Sequence, residues 1–355
     1  MSGEQQQGGG RHRRPKAVGV AVGVALGVLL ATGAVAATRF VGSPESSGDE
    51  PAAFVQPSVT AASAGPSREP SPTPGKTSRS PSKKASAKPS PSKSKKTSGY
   101  PGPDDTGVPE GTKLRTVGEV TITKAGTVLE GVKAKCVIVR ASNVTVRKSL
   151  IRGGSCGSAR QFEVADNVKN VLIEDVEIDG AKVHARGAGL GGSGFTCRRC
   201  DIHGMARGVQ PNDNVVIEDS WIHDLYGTSN SENAAFQSNG GSHLVIRGSN
   251  LEMNEVPFGG MALALIGDYA VLDDILVENN LFNGGGSYAI WAGDAADDKD
   301  PKFKARNTRF LNNAFGRKIY PKCGYYGPVA GWDGSMPGNR WSGNHWLDSG
   351  KKIVA

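Results

Sequence analysis

No P-loop, Rossmann glycine fingerprint or HExxH pattern occurs anywhere in the chain. That removes the common nucleotide, dinucleotide and zinc-protease signatures. A strong excess of one charge is missing where a domain could fold. Residues 111–355 carry 28 Lys/Arg against 26 Asp/Glu, a net of +2, whereas residues 1–110 carry +6. A nucleic-acid-binding domain needs a basic face, so that class is set aside. Aromatics are only 6% of the sequence. Large apolar residues are nearly absent from residues 43–110, which therefore cannot bury enough surface to offset their ordering entropy.

Residues 17–38 contain no charge; Arg11, Arg13, Arg14 and Lys16 precede them and Arg39 follows. An apolar run of that length is expected to span a bilayer as a helix, with residues 1–16 as a basic cytoplasmic tail and the rest of the chain outside. Gly19, Gly23 and Gly27 have the spacing that lets two such helices pack closely, although membrane helices also simply tolerate glycine. Ala34-Val35-Ala36 offers the rival reading, a cleaved signal segment. Both readings make residues 39–355 external. Residues 39–110, with Ser80-Pro81-Ser82-Lys83-Lys84 among them, read as a disordered Pro/Ser/Lys linker. Its stretch 76–96 has eight basic residues and no acid. It serves either as contact with anionic wall polymer or lipid headgroups or as a solvated spacer.

The rest of the chain is glycine-rich and repetitive. Eight nine-residue segments align without gaps, beginning at Asn143, Asn170, Gly194, Asn214, His243, Asp274, Asn307 and Gly338, spaced 27, 24, 20, 29, 31, 33 and 31 apart. Variable spacing around a constant core is one solenoid coil with loop insertions. The fourth position reads Val146, Ile173, Cys197, Ile217, Ile246, Val277, Phe310, Trp341. The ninth reads Ile151, Ile178, Ile202, Ile222, Leu251, Phe282, Phe315, Trp346. Positions two and four share a strand face, and stacked coils turn these columns into apolar ribs inside a tube. Residues 111–355 are thus expected to form an all-β, right-handed parallel β-helix of about ten coils. Asn280, Asn313 and Asn344 at the seventh position predict an amide ladder, with asparagine tolerating a left-handed turn there.

The Asn-Val-x-Ile-x-[Asp/Asn]-[Ser/Asn]-x-Ile repeat over 143–346 resembles the right-handed parallel β-helix repeat proteins of the pectate-lyase-like superfamily. The resemblance implies an extracellular protein that engages polysaccharide, as a lyase, a glycoside hydrolase, or a carbohydrate-binding or adhesive scaffold. Bacterial members often carry His-x-Asp-(Gly/Ala)-Ile-Gln before Gly-Gly-x-Asn. Here Gln237, Gly240 and Gly241 match, but Ser231 and Asn233 stand near the His and Asp positions.

The tenth position reads Arg152, Asp179, His203, His223, Glu252 and Asn283, and should stack along one outer face. A further short strand adds Gln210, Gln237 and Trp291 as outward residues. Together the two rows are expected to line a groove for a linear glycan. Lyase chemistry needs a base and a cation facing the substrate carboxylate. His203, His223, Arg207 and Glu252 are the catalytic candidates; Gln210, Gln237, Trp291 and Asp179 are the substrate-binding ones. Asp179 and Glu252 are the oxygen ligands expected if calcium is held. Hydrolysis needs two carboxylates at a set separation, and no such pair stands out. The plain alternative is a solvated outer surface.

Tyr325, Tyr326, Trp332, Trp341 and Trp346 cluster near the C-terminus, either as a sugar-stacking surface or as the cap a last coil needs. Gly153-Gly-Ser155-Cys-Gly157 matches a nucleophile elbow, but no helix pattern follows it. Cys197-Arg-Arg-Cys200 lies in a β-coil rather than a βαβ unit. Five cysteines outside the cytoplasm predict disulfides with one thiol left over.

Overall fold

The computed structural model describes residues 99–183, 187–228, 233–254, 260–294 and 303–355. The expected tail, membrane segment and most of the linker lie outside the described residues. Among the described residues, no helix is long and apolar enough to cross a membrane.

The described chain winds as a parallel β-helix. Each full coil contributes a strand to three faces. Face 1 holds strands such as Phe195–Arg198 and Val215–Glu218; face 2 holds Asp201–His203, Trp221–His223 and Asn250–Met253. These two faces join through long strands such as Val171–Asp179 into one 17-stranded sheet. Face 3 is a separate nine-stranded sheet that includes Ala188–Gly192, Arg207–Pro211 and Ala234–Ser238. Every named strand pairing is parallel, and the register follows the sequence repeat without a slip. Thr145, Leu172, Thr196, Val216, Val245, Leu276, Arg309 and Arg340 pair in succession. The ninth-position column pairs likewise, from Ile151 to Trp346.

Register holds because one face of each strand is buried. A slip of one residue would turn Ile173, Ile217 and Ile246, all fully buried, out to water. Each such side chain contributes about 1.5–3 kcal/mol when removed from water. Trp332 and Trp341 pack edge-on and tilted against Phe310. They close the last coil, as a cap requires.

Corner chemistry sets the coil shape. The first repeat position is left-handed in every repeat, from Asn143 (φ 60°) through Asp274 (φ 54°) to Gly338 (φ 73°). Asn, Asp and Gly recur there because they tolerate that region. The other left-handed column is position six, for example Asp175, Asp219 and Asn312. This corrects the expectation for position seven, whose asparagines point inward instead. The Asn280 Nδ2 donates to Asn313 Oδ1 (3.1 Å) and the Asn313 Nδ2 to Asn344 Oδ1 (2.9 Å). Serines extend the same column, with Ser249 Oγ accepting from the Ser220 N–H.

Face 1 carries a row of alternating charges. Its outward fifth position alternates Arg147, Glu174, Arg198, Glu218, Arg247, Glu278 in paired register. Arg198 bridges Glu174 and Glu218, and Arg247 also meets Glu218. Burial alone would raise the Glu218 pKa, but the two guanidinium groups hold it below its ordinary value.

Two disulfides form, Cys136–Cys156 and Cys197–Cys200. The second links positions four and seven inside the tube. Cys156 belongs to the glycine-rich 153–157 loop, so that loop is a disulfide anchor. Cys323 is free and buried. Burial pushes its thiol up to about 12, which makes it an inert donor to Phe282 O.

Residues 99–110, assigned to the linker by composition, pack on face 2. The Asn250 Nδ2 donates to Pro101 O (3.1 Å), and the Gly107 N–H donates to Arg199 O (2.9 Å). Gly107 lies against Asp201 and Glu177, where an added Cβ would stand 3.0 Å from the Asp201 Cβ.

Candidate functional site

On face 2, positions eight and ten both point outward, two residues apart on one short strand. Adjacent coils therefore stack Glu177 and Asp179, Asp201 and His203, Trp221 and His223, Asn250 and Glu252. The segment 101–107 crosses the position-eight column. The position-ten column opens into a cleft of about 600 Å³ lined by Arg152, Asp179, Lys182, His203, Asp224 and Tyr226, among others.

The two imidazoles stack, with ring centroids 5.1 Å apart. His203 Nε2 is 3.4 Å from Glu177 Oε1, and its Nδ1 is 3.7 Å from Asp179 Oδ1. Burial by itself lowers the His203 pKa. The Glu177 hydrogen bond and the charges of Asp201, Asp179 and Glu177 outweigh it, and the net shift is upward. His223 is held on both sides, by Asp201 (2.8 Å) and Asp224 (2.9 Å), with the Trp221 ring stacked on it at 3.4 Å. Asp179 meets Arg152 (3.1 Å) and accepts the Ala181 N–H. Glu252 is paired with Lys318 (2.6 Å).

A folded pKa above the unfolded value of about 6.5 gives stability that is complete below that value and is lost as pH rises through the folded pKa. Asp201→Asn removes one of the charges that favour the imidazolium. It should move the His203 titration to lower pH, read from the His203 ring proton by NMR. An unmoved titration would show that Asp201 does not act on His203.

Gln210, Gln237, Trp291 and Arg207 lie apart from the tenth-position row. Gln210, Gln237 and Trp291 do share one column, through the pairs Gln237–Ala264 and Ala264–Trp291. That column is on face 3, a different sheet, so it does not complete a groove with the tenth-position row. Gln237 is buried and donates to Asn239, and the Trp291 Nε1 donates to Asp294 O. Arg207 opens a face 3 strand beside Ala188 and Ala234. The turn between His203 and Arg207 carries it off face 2, and Arg152 and Lys182 are the cations of the cleft instead. Glu177, Asp201 and Trp221 were overlooked, although two-residue alternation on each strand would have found them.

Asp179 and Glu252 share a column but are three coils apart, about 14 Å at roughly 4.8 Å per coil. They cannot share a calcium ion, whose oxygen ligands lie about 2.3–2.6 Å from it. Glu177, Asp179 and His203 do have ligand atoms within 4.8 Å of one another. An imidazole suits calcium poorly, and Asp179 is already engaged by Arg152 and a backbone N–H. The cluster is better described as a hydrogen-bonded acid–base network.

No family model and no curated protein matches the chain. Among solved structures, it is similar to the tailspike protein gp49 from Acinetobacter baumannii bacteriophage Fri1, a capsular polysaccharide depolymerase. Identity is 12% and the TM-score 0.34, over 69% of this chain and 64% of that one. The match thus spans less than two thirds of the tailspike chain.

Proposed function

We propose that this protein is an extracellular β-helix of the pectate-lyase-like kind that engages a linear polysaccharide along face 2 and cleaves it by acid–base chemistry. The observation that carries this reading is the stacked His203–His223 pair, ringed by carboxylates, at the edge of an open cleft. An imidazole whose charged form is favoured by neighbouring carboxylates is suited to donate a proton to a leaving glycosidic oxygen. His203 takes that role. Asp224, whose side chain is 79% exposed although one oxygen meets His223 Nδ1, is the carboxylate that faces substrate as base, while Asp201 and Asp224 together orient His223. Arg152 and Lys182 place positive charge beside them, which favours an acidic glycan containing uronate. An N-terminal membrane segment and the basic linker would hold this domain outside the cell membrane, close to anionic wall polymer. A cleaved signal would instead release it.

A second reading is favoured by the pairing of Asp179 with Arg152 and of Glu252 with Lys318. Carboxylates already neutralised suit a binding surface as well as a catalytic one, so the protein would then be a wall-binding scaffold.

The full-length protein should be incubated with polygalacturonate, alginate, hyaluronan and a neutral β-glucan. Unsaturated product is followed by ultraviolet absorbance and new ends by reducing-sugar assay. The enzyme reading expects turnover on an acidic glycan and a loss of about 10²–10⁴-fold in His203→Ala. Binding without turnover would select the scaffold. Turnover surviving His203→Ala would remove His203 from the mechanism.

A further inference from the structure

The corner that carries the chain from face 3 to face 1 varies in length from coil to coil. It takes residues 165–169 after the strand Arg160–Val164, but only Ser193 after Ala188–Gly192. It takes 212–213 after Arg207–Pro211, 239–242 after Ala234–Ser238 and 266–273 after Met261–Leu265. Those strands pair in that order, so two short corners lie between longer ones. They belong to the coils whose repeats, at Gly194 and Asn214, begin 24 and 20 residues after the one before. A notch of about 800 Å³ occupies this place, within the range of about 300–1,000 Å³ found for small-ligand sites.

The notch is lined by side chains that hold one another across coils. Buried Ser193 donates from Oγ to Asp166 Oδ1 (3.0 Å). Asn212 reaches over the one-residue corner at Ser193, and its Nδ2 donates to the same oxygen (2.6 Å). Asp213 Oδ1 accepts the Ser242 N–H (2.7 Å). Asp166, Asn212 and Asp213 all line the notch. One oxygen of each carboxylate is used in this way, and the other accepts no hydrogen bond from the described residues. Between them the floor is backbone: a Cβ on Gly194 would stand 2.1 Å from Val168 O. At one end Tyr269, 81% exposed, stands beside the lining residue Ala270. Its N–H donates to Asn239 O (3.0 Å), which fixes the backbone there.

We infer that this notch is a second carbohydrate site and that its ligand is a short neutral saccharide. A sugar ring presents hydroxyls around its edge and C–H groups on its faces. Hydroxyls donating to a carboxylate make strong, charge-assisted hydrogen bonds, and a tyrosine at the rim offers an apolar face with a polar tip. Asp166 and Asp213 outnumber Lys169, the one cation of the lining, so an anionic glycan is repelled. The His203 cleft, with Arg152 and Lys182, has the opposite preference. The two short corners span about 10 Å along the axis at roughly 4.8 Å per coil, and longer corners stand at either end. That shape admits a short saccharide or a chain end rather than a polymer laid lengthwise. The inference stands apart from the cleft reading, since it uses another corner of the coil and the opposite charge.

The test titrates the full-length protein by calorimetry with di- and trisaccharides of glucose, galactose, mannose and N-acetylglucosamine. Trigalacturonate is the acidic control, and calcium chloride alone is the cation control. At least one neutral saccharide should bind. Tyr269→Ala and Asn212→Ala should each weaken it by about tenfold or more, whereas Tyr269→Phe should keep most of the affinity. Tyr269 is exposed, so its variants should melt as the parent does, and Tyr269→Ala alone decides the matter where Asn212→Ala lowers the melting temperature. Added polygalacturonate should not displace the neutral saccharide. Competition between the two would assign the binding to the cleft and refute a second site. Neutral-saccharide binding that survives both alanine substitutions would refute the notch and leave the cleft reading untouched. Binding of trigalacturonate alone, of calcium alone, or of none of these would overturn the assignment, while turnover of acidic glycans separately decides the cleft.

Discussion

Asn313→Ala is expected to lower the unfolding free energy by about 3–5 kcal/mol. The Asn313 side chain is fully buried and all of its hydrogen-bonding capacity is used. Its Nδ2 donates to Val277 O and Asn344 Oδ1; its Oδ1 accepts from the Asn280 N–H and Nδ2. Alanine abolishes these bonds at once, and each buried polar group left without a partner costs about 1–3 kcal/mol. The removed amide also leaves a cavity. Urea unfolding followed by tryptophan fluorescence reads the change, because Trp341 and Trp346 lie in the adjoining coil. The midpoint should fall while the slope stays constant. A loss below about 1 kcal/mol would mean that the amide column is not what holds these coils in register.

Gly192→Ala should cost about as much by a different route. Gly192 has φ 109°, a region that costs an L residue about 1–3 kcal/mol. A Cβ there would also overlap Val164 O, a backbone atom that cannot rotate away. The pairing of Gly192 with Val164 and Pro211 would have to open, adding about 1–3 kcal/mol of strain. The affected coil carries His203, so loss of the face 2 network should accompany loss of stability. Gly126→Ala is the control: φ is 74° and open space surrounds it, so only the conformational cost remains. Equal effects for the two substitutions would show that the close approach of the coils at Gly192 does not matter.

The coil itself was legible in the sequence because burial repeats. Ile151, Ile178, Ile202 and Ile222 recur at one position since each must fill the same column, and the gapless alignment became the strand register. The Arg/Glu alternation from Arg147 to Glu278 follows the same repeat, and Glu174, Arg198, Glu218 and Arg247 form ion pairs within it. His203 and His223 were placed together for the same reason. What the repeat did not show is how a column beyond a corner sits against face 2. Arg207 is four positions from His203, but the intervening turn changes sheets. The same turn separates Gln210 and Gln237 from the tenth-position row.

By itself the amino-acid sequence determined the repeat unit, its buried columns and the residues that share a column, because these depend on local alternation and on one periodic burial condition. Only the tertiary structure decided which columns face one another, how far apart Asp179 and Glu252 lie, and that Tyr325 and Tyr326 stand outside the cap. Corners of variable length set the direction of each strand. Direction across a corner depends on the packing of neighbouring coils rather than on any residue's own preference.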